Sequence, residues 1–176
     1  MLYRYGFKKE RVADSSVIAD VMKTMKAYLN ESINVYEYEP TVQVERTYRM
    51  SGRPVMVGEF HIGVPENGLG AGLVQAMNQT ERAVGYRYFV EQGMSLPYCL
   101  GAHWFAWRDE PVLGRSDGEN YNIGMVDVTD RPYPELVDAV KATNKRLLEV
   151  HSGQAMPFNQ RPKTSEWGTP SSAWDL

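Results

Sequence analysis

Pro54-Val-Met-Val-Gly-Glu-Phe-His-Ile-Gly63 is the stretch around which the chain is organised. From Pro54 to Gly58 no side chain is polar and nothing alternates. A continuous apolar run of this kind fits a strand buried on both faces, as strands of parallel sheets are. The run ends in a carboxylate, Glu59, and an imidazole, His61. With a side-chain period of two, Val57, Glu59 and His61 are expected to point the same way. The C-terminal tip of a buried parallel strand is where barrel folds keep their chemistry. The plainer alternative is a Glu that caps the strand and faces water.

Outward from this strand the chain alternates. Residues 1–7 are β-prone, and Asp14 or Ser15 caps a helix whose stripe is Val17, Ile18, Val21, Met22, Met25, Tyr28 and Leu29. A strand is expected at 32–36 and a short helix at 42–50. After the central strand comes a glycine-rich loop, 63–72, then an Asn78-x-x-Glu81 capping box. The helix it opens, 80–92, is expected to stop at Gly93. A fourth strand spans 98–107, with Leu100, Ala102, Trp104 and Ala106 on one side and Gly101, His103, Phe105 and Trp107 on the other. A polar loop, 108–124, follows. Thr129 or Asp130 opens a last helix at 132–134, with the stripe Leu136, Val137, Val140, Leu147 and Leu148, and Gly153 ends it. Residues 154–176 hold Pro157, Pro162 and Pro170 without periodicity and read as a poorly ordered tail, to which Trp167 and Trp174 belong.

The order β-α-β-α-β-α-β-α over residues 1–153 implies parallel strands with right-handed crossovers. A small open sheet and half of an eight-stranded barrel both fit. Gly68-x-Gly70-x-Gly72 lacks the spacing and the strand-to-helix setting of a nucleotide loop. The chain has 176 residues, 43% hydrophobic and 23% charged, enough for one ordinary domain. Its formal net charge of −3 gives no electrostatic reason to expect nucleic acid or an anionic membrane. The single cysteine, Cys99, sits in an apolar run and reads as a buried, inert thiol. No run reaches membrane-spanning length, and Arg4, Lys8 and Lys9 precede no apolar segment of a signal peptide.

Three stretches carry a resemblance: Arg53-Pro-Val-Met-Val-Gly-Glu-Phe-His-Ile-Gly63, Gly101-Ala-His-Trp-Phe105, and Gly114-Arg-Ser-Asp-Gly-Glu-Asn-Tyr-Asn-Ile-Gly-Met-Val-Asp-Val-Thr-Asp130, continued by Arg131-Pro-Tyr-Pro-Glu135. Over residues 2–148 the chain resembles the C-terminal half of retaining glycoside hydrolases with a (β/α)8 barrel (clan A), and among them family 50, the β-agarases. The resemblance implies that 1–7, 33–38, 55–59 and 100–107 are strands five to eight of a partial TIM barrel, and that the substrate is a galactan of the agarose type. It places Glu59 on the nucleophile and Trp104 on the tryptophan that floors the subsite of the sugar under attack. That residue often joins its neighbour by a cis peptide in such enzymes. Tyr36 or Tyr38, at the end of strand six, falls where a phenol could orient the nucleophile. The relatives would be secreted or periplasmic.

Retaining hydrolysis needs two carboxyl groups roughly 5–5.5 Å apart. In the family the proton donor follows an Asn at the end of strand four, which would place it upstream of Met1. Asn30-Glu31 copies that dipeptide but follows a helix. The chain is therefore expected to carry the nucleophile without its acid/base and to be inactive alone. The other candidate sugar contacts are His61, His103, Trp107 and the loop residues Asp109, Arg115, Asp117, Glu119, Asn120 and Asn122, with Glu110 beside them. His61 and His103 could meet around a sugar hydroxyl. No third ligand has metal spacing, and neither metal nor cofactor is expected. The alternative function is a non-catalytic carbohydrate-binding or assembly module that uses Glu59 only as an acceptor. Four βα units leave unpaired edges, so the expected partner is the missing N-terminal half barrel or a second copy.

Overall fold

The computed structural model describes residues 31–164. The expected first strand and helix, Asn30, Trp167 and Trp174 lie outside them. Within them, β1 (Glu31–Asn34), α1 (Thr41–Ser51), β2 (Val55–Phe60), α2 (Gln79–Met94), β3 (Cys99–Trp104) and α3 (Pro134–His151) alternate along the chain. The strands form a parallel three-stranded sheet in the order β1-β2-β3. The fold is mixed α/β with a small parallel sheet and three helices among the described residues.

β2 is central, as its unbroken apolar run requires. Val55, Val57 and Phe60 are buried in one core with Val44 of α1, Phe89 of α2 and Leu136 of α3. Phe60 stacks on Phe89 with ring centroids 4.0 Å apart and takes the edge of Trp104 at 5.1 Å. Burying a phenylalanine this fully contributes about 2–3 kcal/mol. A second cluster, Ile62, Val64, Val74 and Ala76, continues that core past the strand end.

The expected common direction of Val57 with Glu59 and His61 is corrected for Val57, which lies in the core with Phe60, while Glu59 and His61 both meet Tyr36. Ile33 and Asn34 of β1 face Val57 and Glu59, and Ala102 and Trp104 of β3 face Val57 and Phe60. On both sides β2 carries one residue more than its neighbour, a bulge at Gly58-Glu59 that breaks the period of two. Gly58 is needed there, because a Cβ would stand 2.6 Å from Ser32 Oγ and 3.4 Å from Asn34 Oδ1.

Asn78 caps α2 by accepting from the Glu81 N–H at 2.9 Å. Gly93 does not end this helix, which runs on to Met94 with Ser95 as its cap. Instead, Gly93 makes room for the Pro40 ring, whose Cγ would lie 3.1 Å from an added Cβ. α3 starts at Pro134 with Tyr133 in the capping position, later than Thr129 or Asp130. Residues 154–164, assigned above to a poorly ordered tail, run along α2. The Phe158 N–H donates to Glu91 Oε2 at 2.8 Å, Gln92 donates to the Phe158 carbonyl at 2.9 Å, and Arg87 covers the Phe158 ring at 4.2 Å.

Candidate active site

Glu59 stands at the bulge, at the C-terminal end of β2. Asn34 Nδ2 donates to its Oε2 at 2.9 Å, and the Tyr36 hydroxyl donates to the same oxygen at 2.7 Å. Its carbonyl accepts from the Val35 N–H at 2.9 Å, so β1 and its continuation hold Glu59 by main chain and side chain together. Donors on an ionised oxygen make stronger hydrogen bonds than neutral pairs do. Burial, then the bond to Glu59 and its charge, push the Tyr36 phenol far up, which keeps it a donor. Tyr38 is turned elsewhere and donates to the Gln75 carbonyl at 2.6 Å. Of the two tyrosines, Tyr36 is the one that touches Glu59.

His61 is 3% exposed and lies behind Tyr36, with ring centroids 4.9 Å apart. Its Nε2 accepts from the Leu73 N–H at 2.9 Å, which places the proton of the neutral ring on Nδ1. Nδ1 has no hydrogen-bond partner among the described residues. Burial, then the charge of Arg82, pull its pKa down to about 4. Gly72, at φ +75°, lets the loop pass, because a Cβ there would stand 2.6 Å from Nε2. His103 is exposed on β3, whereas His61 is buried.

Trp104 packs toward the helices. Its Nε1 donates to the Ile123 carbonyl at 2.8 Å, and its ring meets Tyr86 at 5.6 Å and the Arg82 guanidinium at 5.4 Å. The cis peptide joins Phe105 to Ala106, one residue beyond the expected place. Phe105 faces the other way, 6.4 Å from the His61 ring and 5.6 Å beneath Arg115. It was missing from the candidates, although the alternation along β3 already put it on the face opposite Trp104. Trp107 is 69% exposed and open to a ligand.

The loop after β3 is organised by two arginines. Arg115 Nη2 bonds Asp117 at 2.7 Å and also Glu119, and its Nη1 lies 3.2 Å from Glu110 Oε1. The charges of Glu119 and Arg115 are felt at Tyr36, so this group borders the Glu59 site. Glu110 is buried, accepts from the Tyr121 N–H at 2.8 Å, and is pushed up chiefly by burial. Asn120 uses its carbonyl to accept from the Gly70 N–H at 3.0 Å.

Asp109 and Asn122 are not free to take sugar hydroxyls, a correction to the expectation for both. Asp109 accepts from Asn122 Nδ2, the Tyr133 hydroxyl and the Gly124 N–H at 2.9, 2.6 and 2.7 Å. Burial raises its pKa against these bonds. Beneath them lies Arg82, 0% exposed and unforeseen. It donates to the carbonyls of Ile62 at 2.8 Å and Gly124 at 2.6 Å, and to Gln79 at 3.0 Å. Burial lowers its pKa to about 10, with Asp109 opposing. Together these groups fasten the loop to the end of β2. Among the described residues no group of three His, Cys, Asp or Glu could hold a metal ion.

The arrangement is an anchored carboxylate at a strand end, bordered by Tyr36, His61, Phe105 and the Arg115 group. No family model matches the chain. β-Agarase B of Vibrio sp. (strain JT0107) is 45% identical over 95 residues, 53% of this chain and 10% of the relative. β-Agarase A of the same strain is 44% identical over 94 residues, 52% and 9%. The chain spans about a tenth of the length of these curated relatives. An exo-β-agarase structure matches with a TM-score of 0.67 at 39% identity, over 74% of this chain and 18% of that one. The structure of PfGH50B matches with a TM-score of 0.66 at 39% identity, over 74% and 19%.

Proposed function

From the premise that its homologues are β-agarases and its structural neighbours agarases of glycoside hydrolase family 50, of which it spans only a part, we propose that this chain is the C-terminal portion of a retaining hydrolase of agarose-type galactan. It carries the nucleophile, Glu59, and takes its general acid/base from a complementary part of the barrel. β1, β2 and β3 then correspond to three of the four strands of a half (β/α)8 barrel.

The observation that carries this reading is the pair of donors, Asn34 and Tyr36, on one oxygen of a carboxylate at the C-terminal end of a central parallel strand. A carboxylate so held presents an ionised oxygen to an anomeric carbon, and a covalent glycosyl-enzyme results. The carboxylates of the neighbouring loop support the second half of the proposal. Asp117 and Glu119 are tied to Arg115, and Glu110, whose pKa burial raises, is enclosed at 4% exposure and bonded to the Tyr121 N–H, out of reach of a leaving oxygen. Ser32, Asn34 and His103 are exposed on the strands and Leu100 is 49% exposed, as suits a face closed by the rest of a barrel or by a second copy.

An activated substrate tests the nucleophile without an acid. Dinitrophenyl 2-deoxy-2-fluoro-β-galactoside releases a phenolate that needs no proton. The full chain is expected to gain one fluorogalactosyl group on the peptide containing Glu59, read by mass spectrometry, and Glu59→Gln to gain none. Labelling that survives Glu59→Gln overturns the assignment. Saturable binding of agaro-oligosaccharides without any labelling supports the binding-module reading instead. Hydrolysis of agarose is expected only after co-expression with an N-terminal half barrel.

A further inference from the structure

We infer that Asn34 is a positioning residue that makes the two oxygens of Glu59 unequal, so that Oε2 is anchored and Oε1 attacks; this rests on the hydrolase reading above. Asn34 and Tyr36 both donate to Oε2, at 2.9 and 2.7 Å. Among the described residues no donor is bonded to Oε1. Two donors draw negative charge toward the oxygen they hold and fix the plane of the carboxylate. The remaining oxygen is left without a donor from β1 or its continuation.

The backbone sets this up. The shift in pairing between Ile33 and Asn34 brings Asn34 opposite Glu59 rather than Gly58. Gly58 has no Cβ to push back Ser32 or Asn34, and the Asn34 Oδ1 lies on its side. That leaves Nδ2 facing the carboxylate, the one orientation in which the amide does not set oxygen against oxygen. A serine would be too short to reach from this position, and an aspartate would bring a second negative charge to the same place.

In the covalent step the bond from Glu59 Oε1 to the anomeric carbon forms. The bond from that carbon to the leaving oxygen breaks, and its electron pair departs with the dinitrophenolate. Oε2 becomes the ester carbonyl oxygen, still held by the donors that held it before.

Two measurements on the full chain decide the matter. Difference infrared spectra against Glu59→Gln isolate the carboxylate bands of Glu59, and unequal C–O bonds widen the separation of the antisymmetric and symmetric stretches. That separation is expected to narrow in Asn34→Ala while the melting temperature stays near that of the wild type. In parallel, labelling by the fluorogalactoside is expected to slow roughly tenfold or more in Asn34→Ala, as loss of a hydrogen bond to a charged group implies, and further in Asn34→Asp. Unchanged bands in Asn34→Ala, or wild-type labelling by Asn34→Asp, overturns the inference. Bands that narrow in a chain that never labels support the asymmetry of Glu59 and count against the hydrolase reading alone, so the two failures are told apart.

Discussion

The hydroxyl of Tyr36 lies 2.7 Å from Oε2 of Glu59, reaching across from the end of one parallel strand to the tip of the next. This bond joins a phenol held protonated by burial to the carboxylate at the centre of the site. Tyr36→Phe removes it and keeps the ring that packs on His61. Loss of a hydrogen bond to a charged group costs about 1.5–3 kcal/mol, so labelling by the fluorogalactoside is expected to slow roughly 10- to 100-fold. Wild-type labelling by Tyr36→Phe sinks the role given to the phenol. Tyr38→Phe, which loses a bond to the Gln75 carbonyl, is expected to act on stability more than on labelling.

His61 makes stability depend on pH. Its pKa is pulled to about 4 in the folded chain by burial first and the Arg82 charge second, against an ordinary 6.5 when unfolded. The unfolded chain therefore takes up the proton first as pH falls. The folded state keeps its full advantage above about 6.5 and loses it progressively down to about 4, by at most roughly 3 kcal/mol. Protonation also removes the lone pair that accepts from the Leu73 N–H. Thermal melts from pH 7.5 to 4.5 are expected to show a falling midpoint, with a visibly shallower slope in His61→Gln. Equal slopes in the two chains refute the assignment.

How much of this was legible follows from what each residue depends on. The apolar run of β2 and the carboxylate at its end are local features, and both were readable in the sequence. The bulge was not, because it arises from Gly58 meeting Ser32 and Asn34 on another strand. Asn34 went unnoticed for the same reason, since a single Asn in a strand says nothing until its neighbour is known. Arg82 was not singled out, since charged helical residues usually lie at the surface. Yet Ala83, Gly85, Tyr86, Phe89, Val90 and Gly93 spread apolar positions around α2, so its polar residues gather on no single outward face. That pattern was the available signal for a buried charge. Trp104 was placed over the sugar site by resemblance, while the structure turns it toward Arg82 and gives the open face to Phe105.

Arg82 is expected to be the most sensitive position outside the site. Its guanidinium serves the carbonyls of Ile62 and Gly124 at once and faces the Asp109 network. Arg82→Met leaves those acceptors and the buried Asp109 without their cation, at a cost of about 3–5 kcal/mol. Arg82→Lys restores a charge but not the planar fork and is expected to recover little of it. Urea unfolding checks both variants, and a loss below about 1 kcal/mol in Arg82→Met shows that the network closes without it.

The segment after α3 gives the last test. Glu91, 0% exposed on α2, accepts from the Phe158 N–H, and Arg161 bonds both the Tyr88 hydroxyl at 3.0 Å and Glu39. Arg87 is held over the Phe158 ring. Ending the chain after Gly153 bares a buried carboxylate and uncovers the face of α2 that carries Gly85, beside which Pro162 sits. Glu91 keeps Arg87 and Arg146, so the loss is one hydrogen bond to a carboxylate together with the ring contact, about 2–4 kcal/mol. The truncated chain is expected to melt well below the full one, and Phe158→Ala, which keeps the backbone bond, to fall between them. A truncated chain as stable as the full one means that residues 154–164 lie on α2 without holding it.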